Sequence, residues 1–225
     1  MNAIYKISLY FNLFKYLIRD IFTMRRDKYE LFLRNYFVNK KKGFYIDVGC
    51  YHPIRLSNTF FLFKKGWNGV NLDISKKSID LFNIARKNDI NLNIGVGSKN
   101  QSTFGYFEKN LFFSNTLNYN HAKTFLKQAT KKKIKIVKLQ NIINKYAKNK
   151  KIDFLDIDCE GEDLEVLKGI KFKKNNIELI SIEMHAYNAK SKKTSSLIFK
   201  ILKENKYDNI YGSCPGTLLF KKNKK

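Results

Sequence analysis

The sequence predicts an α/β fold in which a largely parallel sheet is covered on both faces by helices. From residue 44 onward, short apolar stretches alternate with segments of helical spacing, and most of the short stretches are apolar almost throughout. Such near-continuous apolar strands are typical of parallel sheets that are buried on both sides. The last two predicted strands are joined only by the stretch SCP, which is too short for a parallel crossover. One edge strand is therefore expected to run antiparallel.

The strands and helices of the first half follow from these patterns. The strand GFYIDV ends at Gly49, and the helical segment SNTFFLFKKG closes on Gly66. The strand GVNLDI, the helix SKKSIDLFNIARKN and the strand INLNIGV come next. Residues 97–118 are predicted to be irregular, with a hairpin-like piece TFGYFE, and residues 119–131 are predicted to form a polar helix.

The second half continues the alternation. It begins with the strand KIKIVKL, the helix QNIINKYAKN and the buried strand IDFLDI. The short helix EDLEVLKG, the strand IELISIE and the helix SSLIFKILKEN follow, and the chain closes with the strands YDNIYG and GTLLFKK. These elements place residues 41–225 in a single domain.

Residues 1–40 are predicted to form an N-terminal amphipathic helical extension. Four apolar residues recur there at helical spacing: Ile7, Phe11, Phe14 and Ile18. Charged residues interrupt the apolar positions, so no uninterrupted apolar run is long enough to span a bilayer. The segment also lacks the pattern of a secretory signal. Such a helix either packs on the domain, which is the commoner outcome, or makes a peripheral contact with an anionic membrane surface.

Composition and charge set the broad class of the protein. The chain has 225 residues, of which 44% are hydrophobic, and a formal net charge of +25. That charge favours an anionic partner such as nucleic acid or lipid, but a compositional origin is the preferred interpretation because the lysines are scattered along the chain. The three isolated cysteines, Cys50, Cys159 and Cys214, are typical of reduced thiols and predict a cytoplasmic protein.

Acidic side chains recur where the predicted strands end, although the protein as a whole is basic. In open parallel sheets, ligands bind beyond the carboxyl ends of the strands. The polar residues predicted at these ends are Asp47, Asp73, Asp156, Asp158, Glu160, Glu183 and His185. Because these acidic residues gather at the carboxyl ends of the strands in a protein with a basic net charge, they predict a binding site at that edge of the sheet.

The spacing of Gly49 and Asp73 predicts a nucleoside ligand. Asp73 follows Gly49 by 24 residues, close to the interval at which an acidic residue binds ribose hydroxyls in nucleotide-binding α/β domains. The G-x-G-x-x-G pattern for a pyrophosphate is absent, and Asp47 stands where a phosphate would be repelled. A phosphate-free nucleoside with a cationic amino-acid end, S-adenosylmethionine, fits best, with its carboxylate on backbone N–H groups of the glycine turn. The alternative is that Asp47 caps a turn.

Three stretches resemble the FkbM-type S-adenosylmethionine-dependent methyltransferases: FYIDVGCYHPIRLSNTFFLFKKGWNGVNLDIS, IDFLDIDCEGEDLEVLKGI and IELISIEMH. The D-x-E-G block at residues 158–161 is the most specific part, whereas Pro53 departs from the glycine-rich turn common in the family. The resemblance implies a Rossmann-like seven-stranded sheet and O-methylation, often of a sugar hydroxyl in a glycan, glycolipid or natural product. The predicted cofactor-binding residues are Asp47, Gly49, Cys50, Tyr51, His52, Ser57, Asn58, Thr59, Asp73 and Ile74.

The acidic residues after the later strands are predicted to carry the chemistry. His185 is the predicted general base, because its unperturbed pKa lies near neutrality; a structural histidine at a strand end is the alternative. Asp158 and Glu160 are expected to orient the acceptor or, with Glu183 and His185, to bind a divalent cation. His121, in the polar helix, is expected to be solvated.

Two other functions compete with methylation of a saccharide or other small molecule. A nucleic-acid methyltransferase would explain the charge, but the N/D-P-P-Y/F signature for exocyclic amines is missing. A non-catalytic basic protein that retains the fold is the second alternative. Residues 97–133, rich in Phe, Tyr and Asn, are expected to help cover the acceptor; the alternative is that their aromatic residues belong to the core.

Overall fold

The computed structural model describes residues 2–22, 28–108, 115–185 and 189–223. The strands of the described residues are β1 (Phe44–Val48), β2 (Asn68–Asp73), β3 (Ile90–Asn93), β4 (Gly95–Gly97), β5 (Gln101–Phe107), β6 (Thr130–Lys138), β7 (Lys151–Ile157), β8 (Asn176–Met184), β9 (Tyr207–Tyr211) and β10 (Gly216–Lys222). The α-helices are α1 (Ala3–Phe22), α2 (Lys28–Tyr36), α3 (Phe60–Lys64), α4 (Lys76–Ala85), α5 (Tyr119–Phe125), α6 (Leu139–Tyr146), α7 (Asp163–Lys168) and α8 (Ala189–Glu204).

The main sheet has seven strands in the order β3-β2-β1-β7-β8-β10-β9. Neighbouring strands from β3 to β8 pair in parallel, and β10 pairs antiparallel with both β8 and β9. The predicted α/β fold with a mostly parallel sheet and an antiparallel edge region is thus confirmed. The antiparallel strand is β10, which lies one place inside the edge because β9 pairs with its outer side.

Side chains of successive strand residues feed cores on opposite faces of the sheet. From β1, Phe44, Ile46 and Val48 join the core that includes apolar residues of α6, α7 and α8. Tyr45 faces the other side, where it joins a core that includes residues of α2 and α3 together with Trp67. This alternation follows from the two-residue period of a strand and explains why the buried strands carry apolar residues on both faces.

A second, three-stranded sheet with the order β4-β6-β5 changes two of the predicted elements. The predicted strand INLNIGV divides at Ile94 into β3 in the main sheet and β4 in the small one, and KIKIVKL lies in β6, outside the main sheet. A Cβ on Gly95 would lie 2.4 Å from Ile136 Cδ1, so glycine permits this close pairing. The polar helix is shorter than predicted, because residues from Thr130 pair with β5.

The predicted N-terminal helix is present as α1, but it packs through a face other than the predicted apolar one. Leu9 and Leu13 are buried against Leu81 of α4, whereas Phe11 and Phe14 on the opposite face are exposed. No helix in the described part of the chain is long and apolar enough to cross a membrane.

Candidate functional site

Asp47 points from β1 into a buried polar network below the turn that follows the strand. It lies opposite Asp156 of β7 in the sheet, and its Oδ2 accepts a hydrogen bond from Thr59 Oγ1 at 2.6 Å. The buried Arg86 donates to the same hydroxyl at 2.7 Å. Burial raises the pKa of Asp47 to about 7, and the carboxylate of Asp156 adds to the rise. The carboxyl group of Asp47 is therefore costly to ionise unless a cation lies beside it.

Gly49 allows the turn to pass close to the end of β7. Its φ is +85°, and a Cβ there would lie 1.8 Å from the carbonyl oxygen of Asp158. The N–H groups of Gly49 and Cys50 donate to the carbonyl of Leu72, and that of Tyr51 donates to Asp73. Because these three N–H groups already have partners, the expectation that they bind the carboxylate of a ligand is not supported.

Asp73 stands at the carboxyl end of β2 with its carboxylate fixed from two sides. Its Oδ2 accepts from the N–H of Tyr51 at 2.8 Å, and its Oδ1 accepts from the N–H of Ser75 at 2.6 Å. Burial raises its pKa to about 6, whereas these two N–H groups oppose the rise. The carboxylate is thereby held rigidly at the edge of a cavity.

That cavity lies beyond the ends of β1 and β2. One part of its wall is apolar, formed by Leu72, Ile74, Ile94, Val96 and Leu117, and the acidic part is formed by Asp73, Asp158 and Glu162. Gly49, Tyr51 and Asp158 also line an adjoining cleft. The two spaces therefore share a wall of three residues at the end of β1 and β7.

The adjoining cleft collects most of the other predicted cofactor residues. Asp47, Cys50, Ser57, Asn58, Asp156, Glu160 and Glu183 line it. Asn58 Nδ2 donates to Asp156 Oδ2 at 3.0 Å, which fixes the amide over the strand. Together, the two spaces bring eight of the ten predicted cofactor residues to one region.

His52 and Thr59 lie elsewhere, and both have local partners. The ring of His52 is fully buried; its Nδ1 accepts from the N–H groups of residues 54 and 55, and its Nε2 lies 2.8 Å from Asn12 Oδ1 of α1. Burial lowers the pKa of His52 to about 3. Thr59 is buried under the turn, where it donates to Asp47. Both residues position the turn and do not line either space.

A cluster of carboxylates closes the site at the ends of β7 and β8. Single carboxylate oxygens of Asp158, Glu160 and Glu183 lie within 4.8 Å of one another. Burial raises the pKa of Asp158 well above its ordinary value, and the charges of Glu183 and Glu160 raise it further. Glu160 has a φ of 51°, in the left-handed region, which is one reason its side chain reaches this cluster from a turn. Such an arrangement suits a divalent cation.

His121 joins the site, contrary to the expectation that it is solvated. Its Nε2 lies 3.0 Å from Glu160 Oε2, and its side chain is only 9% exposed. One ligand atom each of His121, Glu160 and His185 lies within 4.8 Å of the others. The one related signal in the sequence is Asn118, whose side chain caps α5 by accepting hydrogen bonds from the N–H groups of Asn120 and His121.

His185 follows β8 and contacts Glu183, as the predicted site requires. Its Nε2 lies 3.2 Å from Glu183 Oε2, and this hydrogen bond raises the pKa of His185. Ser195 of α8 donates to its backbone carbonyl at 2.7 Å. His121, Glu183 and His185 line a further cleft, between the end of β8 and the helices α5 and α8.

Residues 115–117 form part of the cavity wall, which the sequence pattern does not predict. Thr116 donates through Oγ1 to the carbonyl of Glu160 at 2.9 Å and accepts from the N–H of Asn118 at 2.9 Å. Asn115, Thr116 and Leu117 line the cavity beside Asp73. They belong to the segment predicted to cover the acceptor, of which residues 109–114 lie outside the described residues.

The three cysteines are free thiols, as predicted. Cys50 packs with Ile79 and Phe82 in a small buried cluster, and burial raises its pKa well above the ordinary value. It is therefore held as a neutral thiol beside the turn.

Comparison with known proteins adds a family to this geometry. No curated protein and no solved structure matches the chain significantly. The sequence does match the Methyltransferase FkbM domain over residues 47–208, from the aspartate of β1 to the start of β9. The match covers more than half of the chain and includes the strand ends that form the cavity, the carboxylate cluster and His185. The chain therefore belongs to the FkbM methyltransferase family.

Proposed function

We propose that the protein is an S-adenosylmethionine-dependent O-methyltransferase that acts on a sugar hydroxyl of a glycan, glycolipid or natural product. The main support for S-adenosylmethionine as the cofactor is the position of the Asp73 carboxylate. It is fixed by two backbone N–H groups at the carboxyl end of β2 and lines the cavity. A carboxylate in this position accepts hydrogen bonds from both vicinal hydroxyls of a ribose.

The cavity beside Asp73 suits an adenosine. Ile74 follows Asp73 directly, and Val96 and Leu117 complete an apolar wall against which an adenine ring can pack. In this proposal the base lies on the side of the small sheet and the ribose lies at Asp73.

The amino-acid end of the cofactor would then enter the adjoining cleft. The ammonium and sulfonium groups would lower the electrostatic cost of the buried carboxyl groups of Asp47 and Asp158, whose pKa values are raised by burial. The hydroxyl of Ser57 and the amide of Asn58 line the same cleft and are the proposed partners of the ligand's carboxylate. In this role Ser57 and Asn58 take the place of the backbone N–H groups of the turn, which already donate hydrogen bonds within the protein.

The acceptor is assigned to the cleft between β8, α5 and α8. Glu183 lines both this cleft and the one that would hold the methionyl end. A hydroxyl bound near Glu183 is therefore adjacent to the proposed position of the methyl group. Amides and hydroxyls contribute much of the remaining wall, which suits a polyhydroxylated acceptor: Asn118, Asn120, Thr124, Ser191 and Thr194.

His185 is the proposed general base. Methyl transfer forms a bond between the acceptor oxygen and the methyl carbon while the sulfur–carbon bond breaks, and the hydroxyl proton has to leave. His185 stands at the acceptor cleft with its ring oriented by Glu183. We expect His185→Ala and His185→Gln to reduce the rate at saturating substrate by roughly 100-fold or more, with the affinity for S-adenosylmethionine unchanged. Full activity in either variant would remove His185 from this role.

A divalent cation is the second proposed component, held by Asp158, Glu160 and Glu183. Their oxygens converge within 4.8 Å, and a cation there would lower the pKa of an acceptor hydroxyl. We expect Mn²⁺ to bind the full-length protein, with loss of the free-ion signal in electron paramagnetic resonance. Glu160→Gln should abolish this binding, whereas Glu204→Gln, on the exposed end of α8, should not. An unchanged free-ion signal, or full methyl transfer after chelation, would contradict the proposal.

Calorimetric titration with S-adenosylmethionine tests the cofactor assignment. We expect saturable binding that weakens at least about tenfold in Asp73→Asn, since a hydrogen bond to a charged group contributes about 1.5–3 kcal/mol. Asp208→Asn, in the exposed part of β9, is the matched control and should bind normally. Absence of saturation at millimolar ligand would favour a non-catalytic basic protein.

A screen of acceptors by mass shift tests the substrate class. The protein, S-adenosylmethionine and Mn²⁺ are incubated with saccharides, glycolipids and RNA, and products are examined for the mass of one methyl group. Methylation of saccharides or glycolipids supports the proposal. Methylation of RNA alone would replace it with a nucleic-acid methyltransferase.

A further inference from the structure

Helix α1 has two apolar faces, and only one of them packs on the protein. Leu9 and Leu13 are buried against Leu81 of α4. Five large apolar side chains of the other face are exposed: Ile4 (76%), Ile7 (67%), Phe11 (71%), Phe14 (61%) and Ile18 (39%). We call these five residues the outer stripe.

The outer stripe is a continuous ridge along the helix. Its members are separated by steps of three and four residues, which at about 100° per residue places all five within an arc of about 80°. The centre of that arc lies about 180° from Leu9, on the side opposite the contact with α4. The stripe is therefore directed away from the described part of the domain. Its apolar surface stays in contact with water unless another molecule or a membrane covers it.

The charged residues that border the outer stripe are basic. At about 100° per residue, Lys15 and Arg19 lie about 60° and about 100° from its centre on one side, whereas Lys6 lies about 120° away on the other side, nearer the packed face; all three are exposed. Asp20 is the only acidic residue of the helix, and its Oδ2 lies 2.8 Å from Lys64 Nζ. The surface that carries the stripe is therefore apolar with a positive border.

We propose that α1 lies in the plane of an anionic phospholipid bilayer, with the outer stripe inserted among the headgroups and its lysines on lipid phosphates. An exposed apolar face bordered by Lys and Arg is the pattern of interfacial helices. The helix is not one that crosses a membrane. A second copy of the chain is a poorer occupant, because each copy carries a net charge of +25 and the basic borders would face each other.

The inner face of α1 connects this surface to the turn after β1. Asn12 Oδ1 lies 2.8 Å from His52 Nε2, and Arg55 donates to the hydroxyl of Tyr16 at 3.1 Å. Tyr51 of the same turn lines the proposed cofactor cavity. Membrane docking would thus hold the site near the bilayer, so a lipid-linked acceptor is the expected class; this last step alone rests on the proposed function.

Vesicle flotation of the full-length protein tests the docking without any methyl transfer. Vesicles of phosphatidylcholine with phosphatidylglycerol are compared with vesicles of phosphatidylcholine alone. We expect binding to the anionic vesicles only, and a fall of roughly tenfold or more in the partition coefficient for the double variant Phe11→Ser/Phe14→Ser. The control Val38→Ser/Phe104→Ser removes two exposed apolar side chains outside α1 and should bind within about twofold of the wild type.

A fluorescence measurement reports insertion at the stripe itself. The native Trp67 is buried, so its emission is expected to be insensitive to vesicles. In Phe11→Trp, addition of anionic vesicles should shift the additional emission to shorter wavelength as the indole leaves water. Thermal unfolding of each variant in the absence of lipid checks that the fold is retained.

Three results would overturn the proposal. The first is equal flotation of the wild type and the Phe11→Ser/Phe14→Ser variant, which would assign binding to charge alone. The second is the absence of flotation and of a fluorescence shift. The third is a stable dimer in sedimentation velocity that this double variant dissociates, which would assign the outer stripe to a second copy of the chain. Loss of S-adenosylmethionine binding with intact flotation would leave the docking standing and remove only the proposed cofactor.

Discussion

At the scale of single residues, the site is defined by carboxyl groups that are buried or half-buried before any ligand binds. Burial raises the pKa of Asp47 to about 7 and that of Asp73 to about 6. Both groups are therefore partly protonated near neutral pH in the free protein. A raised pKa in the folded state means that each group contributes stability at low pH, and that this contribution is lost as the pH rises from about 4 to about 7.

Binding of S-adenosylmethionine should therefore release protons. The cationic ammonium and sulfonium favour the ionised carboxylates, so they lower both pKa values. At about pH 6.5, between the two pKa values, we expect a net release that appears as different calorimetric heats in buffers of high and low ionisation enthalpy. Asp73→Asn should reduce this difference. Identical heats in both buffers would show that these carboxyl groups do not respond to the ligand.

Gly49 offers a test of the turn with an internal control. Gly49 and Gly66 share a φ of +85°, but a Cβ on Gly49 would overlap the carbonyl of Asp158, whereas one on Gly66 would meet nothing within 4 Å. We expect Gly66→Ala to cost about 1–2 kcal/mol through backbone strain alone. Gly49→Ala should cost more than about 3 kcal/mol and weaken cofactor binding. Equal midpoints of denaturant unfolding for the two variants would contradict the close contact between the turn and β7.

At the scale of elements, the strands of the main sheet were predictable and their partners were not. The apolar runs of β1, β2, β7 and β8 are compatible with few structures other than buried strands, and the polar residue after each run marks the strand end. A hydrophobic pattern does not state which strands pair. For this reason the sequence does not predict that the strand INLNIGV divides at Ile94 or that β6 joins a separate sheet.

The same limit applies to the helices and to individual site residues. The apolar spacing of α1 predicted a stripe, but not that Leu9 and Leu13 would form the packed face. His52 lies in a turn that resembles a cofactor loop, yet its ring is used to bind Asn12 of α1. His121 belongs to a polar helix, and only its tertiary contact with Glu160 places it in the site. Each of these outcomes depends on long-range contacts that local pattern does not encode.

The segment of residues 115–118 should behave as a wall of the cavity that Thr116 fixes in place. Thr116→Val keeps the shape but removes two hydrogen bonds at a buried position, so we expect a loss of about 1–3 kcal/mol in stability. Cofactor affinity should fall, and hydrogen exchange in this segment should increase. Thr130→Val removes one hydrogen bond, at 3.2 Å, at a more exposed residue and is the matched control. Equal exchange in both variants would exclude Thr116 from this role.

At the scale of the whole molecule, a protein with a net charge of +25 gathers Asp158, Glu160 and Glu183, three of its 19 acidic residues, at one site. The global charge acts through solvent and is screened by salt, whereas charges buried within the site are screened much less. We therefore expect the positive field to act on contacts with anionic surfaces and the local carboxylates to act on a cationic ligand. Such a separation would allow a basic protein to bind the positively charged cofactor proposed above.

Salt should distinguish these two kinds of interaction. Raising the ionic strength from about 0.05 M to about 0.2 M should weaken non-specific RNA binding at least about tenfold. The affinity for S-adenosylmethionine, measured by calorimetry in the same buffers, should change by less than about threefold because its partners are buried. A parallel loss of both would mean that the cofactor is held by exposed charge and not by the cavity.

A crystal structure of the protein with bound S-adenosylmethionine tests the central claim most directly. The account predicts the ribose hydroxyls within about 2.6–3.2 Å of the Asp73 carboxylate, the adenine against Ile74 and Leu117, and the methyl group directed toward Glu183 and His185. Density for the cofactor outside this cavity, with the carboxylates of Asp47 and Asp73 both facing away from it, would contradict the account.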